Sequence, residues 1–423
     1  MEVLYERCAG LDVSKRDAKA CVRVTGPAGK ATQTITTWTS MTNQVHELAA
    51  YLRAERVDLV VIEATSDYWR QFYFLLQEAG LNVELVNARD ARNLPGRKTD
   101  VSDAAWLAQL GAHGLVRGCF VPPADIRRIR DLTRVRTAIT DERSREIQRL
   151  EKMLEDSGIK LSSVATDITG VSGRTMLEAL ISGEEDPHVL AGLARTRMRP
   201  KIPALVEALT GRFNDHHRFM ARLFLDRIDA QTTDLERVDA RLAELMTPFS
   251  QARQLLVSIP GISDHIADVI IAETGADMSR FETPGRLASW AGTAPGANES
   301  AGRVKSTKTR PGNRYLKRAL GTAALSISRS QTTYLGAKYR RIKSRRGPMK
   351  ALVALEHSIL IAVWHMLTNG ELYADPGPDY FLRLKPAQTQ TRAIRQLEAL
   401  GFTVTLQPQT AAASGPRQTL FSR

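Results

Sequence analysis

A chain of 423 residues with 43% apolar side chains is long enough for two or three domains with sizeable cores. Its net charge of +13 and pI near 9.8 point to a polyanionic partner, nucleic acid ahead of an anionic membrane surface. Three scattered cysteines, Cys8, Cys21 and Cys119, are too few for a disulfide framework or a zinc site and read as small buried apolar residues in a reducing compartment.

Residues 1–118 alternate strand and helix patterns. Cys8–Val13, Ala18–Val24 and Thr32–Thr36 are short strands joined by turns, which predicts an antiparallel meander. Asn43–Arg53 has helical spacing with Thr42 as its cap, Leu59–Ile62 is a buried-type strand, Ser66–Glu78 a helix and Val83–Val86 another strand. A further helix starts near Thr99 and stops at Gly111 or Gly114. The sum is an α/β domain, a mixed sheet with helices on its faces.

Residues 119–250 are helical. Positions 124–160 read as one long helix with an interrupted apolar stripe through Ile126, Ile129, Leu132, Val135, Ile139, Ile147, Leu150 and Leu154. It is either a coiled-coil arm for dimerisation or an amphipathic helix packed on its own domain. His216-His217 lacks partner ligands at metal-binding spacing. Residues 251–373 form a mainly α domain. Its Ile259-Pro260-Gly261-Ile262 turn between two helices predicts a helix–hairpin–helix, with backbone N–H groups near Gly261 aimed at a phosphate, or else a plain helical turn. Ala351–Leu367 is interrupted by Glu356, His357 and His365 and reads as a core helix rather than a membrane span. In residues 374–423, Gln388–Leu400 reads as a helix, Thr403–Leu406 as a strand and Gln407–Arg423 as disordered. Met1–Gly10 has no apolar signal region, so a soluble cytoplasmic protein without a membrane partner is expected.

The charge is concentrated. Ser300–Leu355 holds fifteen Lys and Arg and no acid, more than the whole net charge. Ser300 precedes Arg303, Lys305, Lys308, Arg310, Arg314, Lys317 and Arg318. A hydroxyl on a loop followed by cations suits a nucleophile held beside a phosphodiester, whereas the plain alternative is a solvated basic loop. Asp12 and Glu63 each end a predicted strand, and Asp100 and Asp103 lie three residues apart at a helix start. Four carboxylates converging at one sheet edge would repel unless a divalent cation such as Mg²⁺ were bound, the arrangement of two-metal phosphodiester chemistry. Each taken singly also fits a solvated turn acid or a helix-dipole partner.

Gly10-Leu11-Asp12-Val13-Ser14-Lys15, Glu63-Ala64-Thr65 and Lys98-Thr99-Asp100-Val101-Ser102-Asp103-Ala104, in that order, resemble the DEDD transposases with a RuvC-like domain. The later series resembles their second, transposase domain: Ile259-Pro260-Gly261-Ile262, Ala288-Ser289-Trp290-Ala291-Gly292, Ser300-Ala301-Gly302 and Gly312-Asn313-Arg314-Tyr315-Leu316-Lys317-Arg318. These are the bridge-RNA-guided insertion-sequence recombinases. The sequence departs from the pattern at Ser66, where Gly is common, and at Ser263 in the hairpin.

The resemblance implies an RNase H-like (RuvC-like) fold for residues 1–118. It implies Asp12, Glu63, Asp100 and Asp103 as ligands of Mg²⁺ (or Mn²⁺), and Ser300 as a nucleophile that forms a phosphoserine link to DNA. It further implies donor and target DNA and a noncoding guide RNA as partners, a homodimer or homotetramer, and a site shared between subunits. Two other readings stand beside it. One is a structure-selective nuclease of the Holliday-junction type, in which water attacks; the other is a nucleic-acid-binding protein without catalysis.

Overall fold

The computed structural model describes residues 2–26, 29–64, 66–87, 102–296, 298–300, 302–384 and 386–406. The chain divides into two compact units, Met1–Pro122 and Pro123–Arg423.

The first unit is built on a sheet of β1 (Arg7–Val13), β2 (Asp17–Thr25), β3 (Ala31–Thr39), β4 (Leu59–Glu63) and β5 (Val83–Val86), in the order β3-β2-β1-β4-β5. The expected meander forms, with β1–β2 and β2–β3 antiparallel. At the first turn the Ser14 hydroxyl donates to Asp17 Oδ1 (2.6 Å) and accepts from the Asp17 amide (3.1 Å). β4 and β5 join parallel to β1 because each is reached through a helix, α1 (Thr42–Ala54) and α2 (Trp69–Glu78), long enough to carry the chain back. Every residue of β4 is buried, as suits a central strand covered on both faces. α1 buries Val45, Leu48, Ala49 and Leu52 on one face of the sheet, beside Phe72 and Leu76 of α2.

The other face carries α3 (Asp103–Ala112), which packs Leu107 and Leu110 on Cys8 and Val61. Burial pushes the Cys8 thiol up to about 12 and that of Cys21 up to about 11, so both act as apolar filler. A mixed sheet with helices on both faces is compatible with an RNase H-like domain.

Three described helix starts differ from expectation, that of α3 falling at Asp103 rather than near Thr99. α1 is preceded by Met41 without a side-chain cap, and Thr42 is already helical. α2 begins at Trp69 rather than Ser66, because Ser66 takes a left-handed φ of 49° that no helix can continue through.

Among the described residues, the regular structure of the second unit is helical except for one short hairpin. Its elements are α4 (Ala124–Asp156), α5 (Leu161–Val164), α6 (Val171–Ile181), α7 (Pro187–Gly192), α8 (Ile202–Ala208), α9 (Asp215–Leu245), α10 (Ser250–Val257), α11 (Asp264–Thr274) and α12 (Pro284–Trp290). Then follow the hairpin β6 (Asn298–Ser300) and β7 (Arg303–Ser306), α13 (Arg314–Ser328), α14 (Tyr334–Arg346), α15 (Pro348–Asn369), α16 (Tyr380–Leu384) and α17 (Pro386–Glu398).

α4 and α9 pair in opposite directions and join two cores. At one end Ile126 and Ile129 of α4 and Leu242 of α9 pack with α10, α11, α13 and α15. At the other, Leu150 and Leu154 meet Phe224, Leu225 and Ile228 with α6 and α8. Between the cores the contact is polar: Arg136 forks onto Asp239 (2.5 and 3.1 Å) and Arg143 Nε donates to Thr232 Oγ1 (2.9 Å). Val135, on the expected apolar stripe, is 47% exposed. The stripe is thus two buried patches separated by a charged waist, not a continuous seam.

His217 caps α9. Its amide donates to Asn214 Oδ1 and its Nδ1 accepts from the Asn214 amide, both at 3.2 Å. α15 is long and apolar enough to cross a membrane by length and composition, but here it buries Leu355, Ile359, Leu360 and Val363 in the core. The expected strand at Thr403–Leu406 does not form, since no neighbouring strand pairs with it among the described residues. Positions 407–423 lie outside the described residues.

Candidate active site

In the first unit, β1 and β4 are parallel and in register, with Gly10 opposite Val61 and Leu11 opposite Ile62. The next residues, Asp12 and Glu63, therefore close the two strands side by side. Residues two apart on a strand share a face. Asp12 shares that of Gly10, and Glu63 that of Val61. This is the face covered by α3: a Cβ on Gly10 would lie 2.2 Å from the Ala104 carbonyl oxygen, and one on Gly111 would lie 2.6 Å from Val61 Cγ2.

The same contacts give the direction of α3. Gly111, near its end, sits over Cys8 and Val61, whereas Ala104, at its start, sits over Gly10. Asp103 opens the helix just beyond, at the end of the sheet where Asp12 and Glu63 project. Glu63 is buried (5% exposed); Asp12 and Asp103 are half-buried.

Asp100 lies outside the described residues. Among the described residues the helix begins at Asp103, because Ser102 is extended and caps α3, its hydroxyl accepting from the Ala105 amide (3.3 Å). The donors are all carboxylate oxygens, the set that suits a hard divalent cation. Among the described residues, no three His, Cys, Asp or Glu side chains gather closely enough to hold a metal.

In the second unit, the expected loop around Ser300 is a two-stranded hairpin. Ser300 pairs with Arg303 across its turn, and Glu299 with Val304. Only the backbone of Ser300 is described. Arg303, Lys305, Lys308 and Arg310 are exposed along the hairpin and the segment after it. Arg314 lies over the Tyr315 ring (4.8 Å) and donates to its hydroxyl (2.8 Å). Lys317 is half-buried. Arg318 forks onto Asp141 at 2.6 and 2.5 Å, so its charge is already balanced, and that bond holds the Asp141 carboxyl below its usual range.

Gly261 has φ 84°, and a Cβ there would lie 2.7 Å from Ile327 Cγ1 of α13. This turn is seated on the helix that carries the cations. Ser263, at the departure from the family hairpin, caps α11, its hydroxyl accepting from the Ile266 amide (3.4 Å).

Sequence reading missed what anchors this surface. Glu273 is fully buried beneath the start of α13. It accepts Arg134 Nε and Nη2 (both 2.9 Å) and Asn313 Nδ2 (2.6 Å), with Arg130 Nε at 3.4 Å. Asn313 Oδ1 in turn accepts from the amides of Tyr315 and Leu316 (both 3.1 Å), capping α13. One signal was available: Glu273 directly follows the apolar run Val269–Ala272, where a buried acid requires a partner.

A sheet ending in adjacent carboxylates in one unit and a strongly basic surface in the other suit a DNA-processing enzyme, and the comparisons give its class as transposase. A DEDD-type IS110 family model described as a transposase matches residues 9–158, and one described as the transposase IS116/IS110/IS902 family matches residues 253–340. The chain is 22% identical over 335 residues to y4pF/y4sB of Sinorhizobium fredii, named as a transposase, covering 77% of each chain. It is 24% identical over 371 residues to an insertion element IS110 protein of Streptomyces coelicolor, covering 76% of this chain and 84% of that one. An insertion element IS900 protein of Mycobacterium paratuberculosis is 31% identical over 150 residues, 34% of this chain and 36% of that one. The chain belongs to the IS110 family of DEDD transposases. It is a DNA-cutting and rejoining enzyme, and its DEDD domain implies a divalent metal.

Proposed function

We propose that this transposase excises and inserts its element through a serine ester. The Ser300 hydroxyl attacks a DNA phosphate, a P–O bond to the leaving strand breaks, and that strand's oxygen takes up the proton. The ester keeps the energy of the broken bond, so rejoining needs no high-energy cofactor. In this reading Asp12, Glu63, Asp100 and Asp103 hold Mg²⁺ (or Mn²⁺). When bound, the metal would ease loss of the attacking proton and offset phosphate charge.

Arg303, Lys305, Lys308, Arg310, Arg314 and Lys317 grip backbone phosphates, with the Gly261 turn of a helix–hairpin–helix as a second grip. Site choice falls to a noncoding guide RNA, in a homodimer or homotetramer acting in the bacterial cytoplasm. Residues 1–118 would be the metal-dependent domain, 119–250 the helical, coiled-coil-like link, and 251–373 the serine-bearing domain.

The observation that carries this reading is the alignment of Asp12 and Glu63 on one face of adjacent parallel strands, beside the start of the helix that Asp103 opens. Ser300→Ala is expected to abolish strand joining, and with it a denaturation-resistant protein–DNA adduct, while nucleic-acid binding stays within about twofold. Asp12→Ala, or EDTA, is expected to abolish cleavage. Cleavage without any adduct in the unaltered protein would instead support the water-using nuclease. Sequencing the RNA that copurifies tests the guide, and a monomeric complex in sedimentation would overturn the oligomer.

A further inference from the structure

A cleft of about 650 Å³ lies between the segment after β7 and the first turns of α15. That volume is in the range of roughly 300–1,000 Å³ typical of small-ligand sites. Its aliphatic wall is Met349, Val353 and Ala354, and Lys308 and Lys350 stand among its other lining residues. Two polar residues line it, Lys338 and His357, and the Lys338 ammonium has the Tyr334 ring beside it (5.9 Å) but no carboxylate. His357 Nδ1 is buried and makes no hydrogen bond. Lys338 is half-buried, and its pKa is lowered by desolvation. Burial, aided by Lys338, also keeps the His357 imidazole neutral, with one donor and one acceptor nitrogen.

An ammonium withdrawn from water without a carboxylate suits an incoming anion. An aliphatic wall beside it suits a flat apolar group. A second cleft, of about 700 Å³, shares Ser306, Lys308 and Thr309 with the first and adds Arg310 and Lys317. One side of this segment is thus cationic and the other half aliphatic, as a strand needs when its backbone follows one groove and a base turns into the other.

We propose that the cleft between the segment after β7 and α15 takes one unstacked nucleotide of a bound strand, its phosphate on Lys338 and Lys308, its base against Met349 and Val353, and the base edge at His357. This rests on the reading of the basic surface as a nucleic-acid grip, and it adds a site that reads a single nucleotide. A free phosphate would leave the aliphatic wall unused, and an apolar ligand would leave the ammonium groups unpaired.

The test compares full-length protein on three labelled duplexes of one sequence: fully paired, with one unpaired deoxynucleotide, and with one unpaired ribonucleotide. The unaltered protein is expected to bind an unpaired form about tenfold more tightly than the paired one. The form preferred identifies the source strand as DNA or RNA, and equal preference assigns the site to chemistry common to both. Val353→Trp, which fills the cleft and keeps every cation, should remove the preference while paired-duplex affinity holds. His357→Phe, which keeps ring volume on a half-buried position, should reduce it and serves if the Trp variant does not fold. No preference in the unaltered protein, or a preference that survives both variants, overturns the proposal. Failure to bind any of the duplexes would overturn the phosphate grip as well. Ser300 chemistry does not enter this readout, so the two readings fail separately.

Discussion

At the residue scale, Glu273 is the side chain on which most depends. Its carboxylate is fully buried and answered by Arg134, Arg130 and Asn313, and removing one partner of such a set leaves charges stranded. Glu273→Ala is expected to lower the stability of the second unit by about 3–5 kcal/mol, read as a shift in its urea midpoint. His265, in the first turn of α11, supplies a pH dependence. Desolvation first, then Arg136 and Arg318, lower its pKa to about 4 against the pull of Asp239. A folded value below the unfolded one near 6.5 means the stability is present above that pH and is lost as pH falls towards 4. The loss should reach at most about 3 kcal/mol in urea titrations, and His265→Gln should flatten that slope.

At the scale of elements, the close approach of α3 to β1 sets Asp103, at the start of α3, towards the end of the sheet where Asp12 and Glu63 lie. It is possible only because position 10 has no side chain: a Cβ there would lie 2.2 Å from one backbone atom of α3 and 2.4 Å from another. Gly10→Ala must push the helix away, at a cost of about 1–3 kcal/mol or more. Its metal-dependent cleavage should fall further than its thermal midpoint suggests, because Asp103 moves with the helix. Cleavage equal to the unaltered protein's would show that this approach does not set the site. In the second unit α4 and α9 form an antiparallel pair. Both ends of α4 are packed within their own chain, and the charged waist between them is held by Arg136–Asp239.

At the scale of the whole molecule, the basic segment gives the protein its electrostatic character. If six to ten phosphates are contacted, raising salt from 50 to 200 mM should weaken duplex binding by about 10³–10⁵. The cations should not contribute equally. Arg318 is already satisfied by Asp141, whereas Lys308 is exposed and lines both clefts. Lys308→Ala should reduce the salt slope by about one, and Arg318→Ala by clearly less. Equal effects would mean that Arg318 leaves Asp141 when nucleic acid binds.

The linear pattern by itself determined the strands of the first sheet, the main core helices, and where the charge collects, but not the hairpin at Ser300. The meander, the strands β4 and β5, the long helix α4 and the core helix α15 follow from alternation and helical spacing, which are local properties of the chain. The motifs holding Asp12, Glu63, Asp100, Asp103 and Ser300 were legible as well, through their order along the chain. Only the tertiary structure decided that Asp12 and Glu63 share the face covered by α3, since that is a matter of register between strands fifty residues apart. Only the folded chain brings Arg134 to Glu273, 139 residues away, or sets Lys338 and His357 along one cleft with no carboxylate to answer the Lys338 ammonium. Periodicity tells a segment which side to bury; which charge it meets there depends on helices packed from elsewhere in the chain.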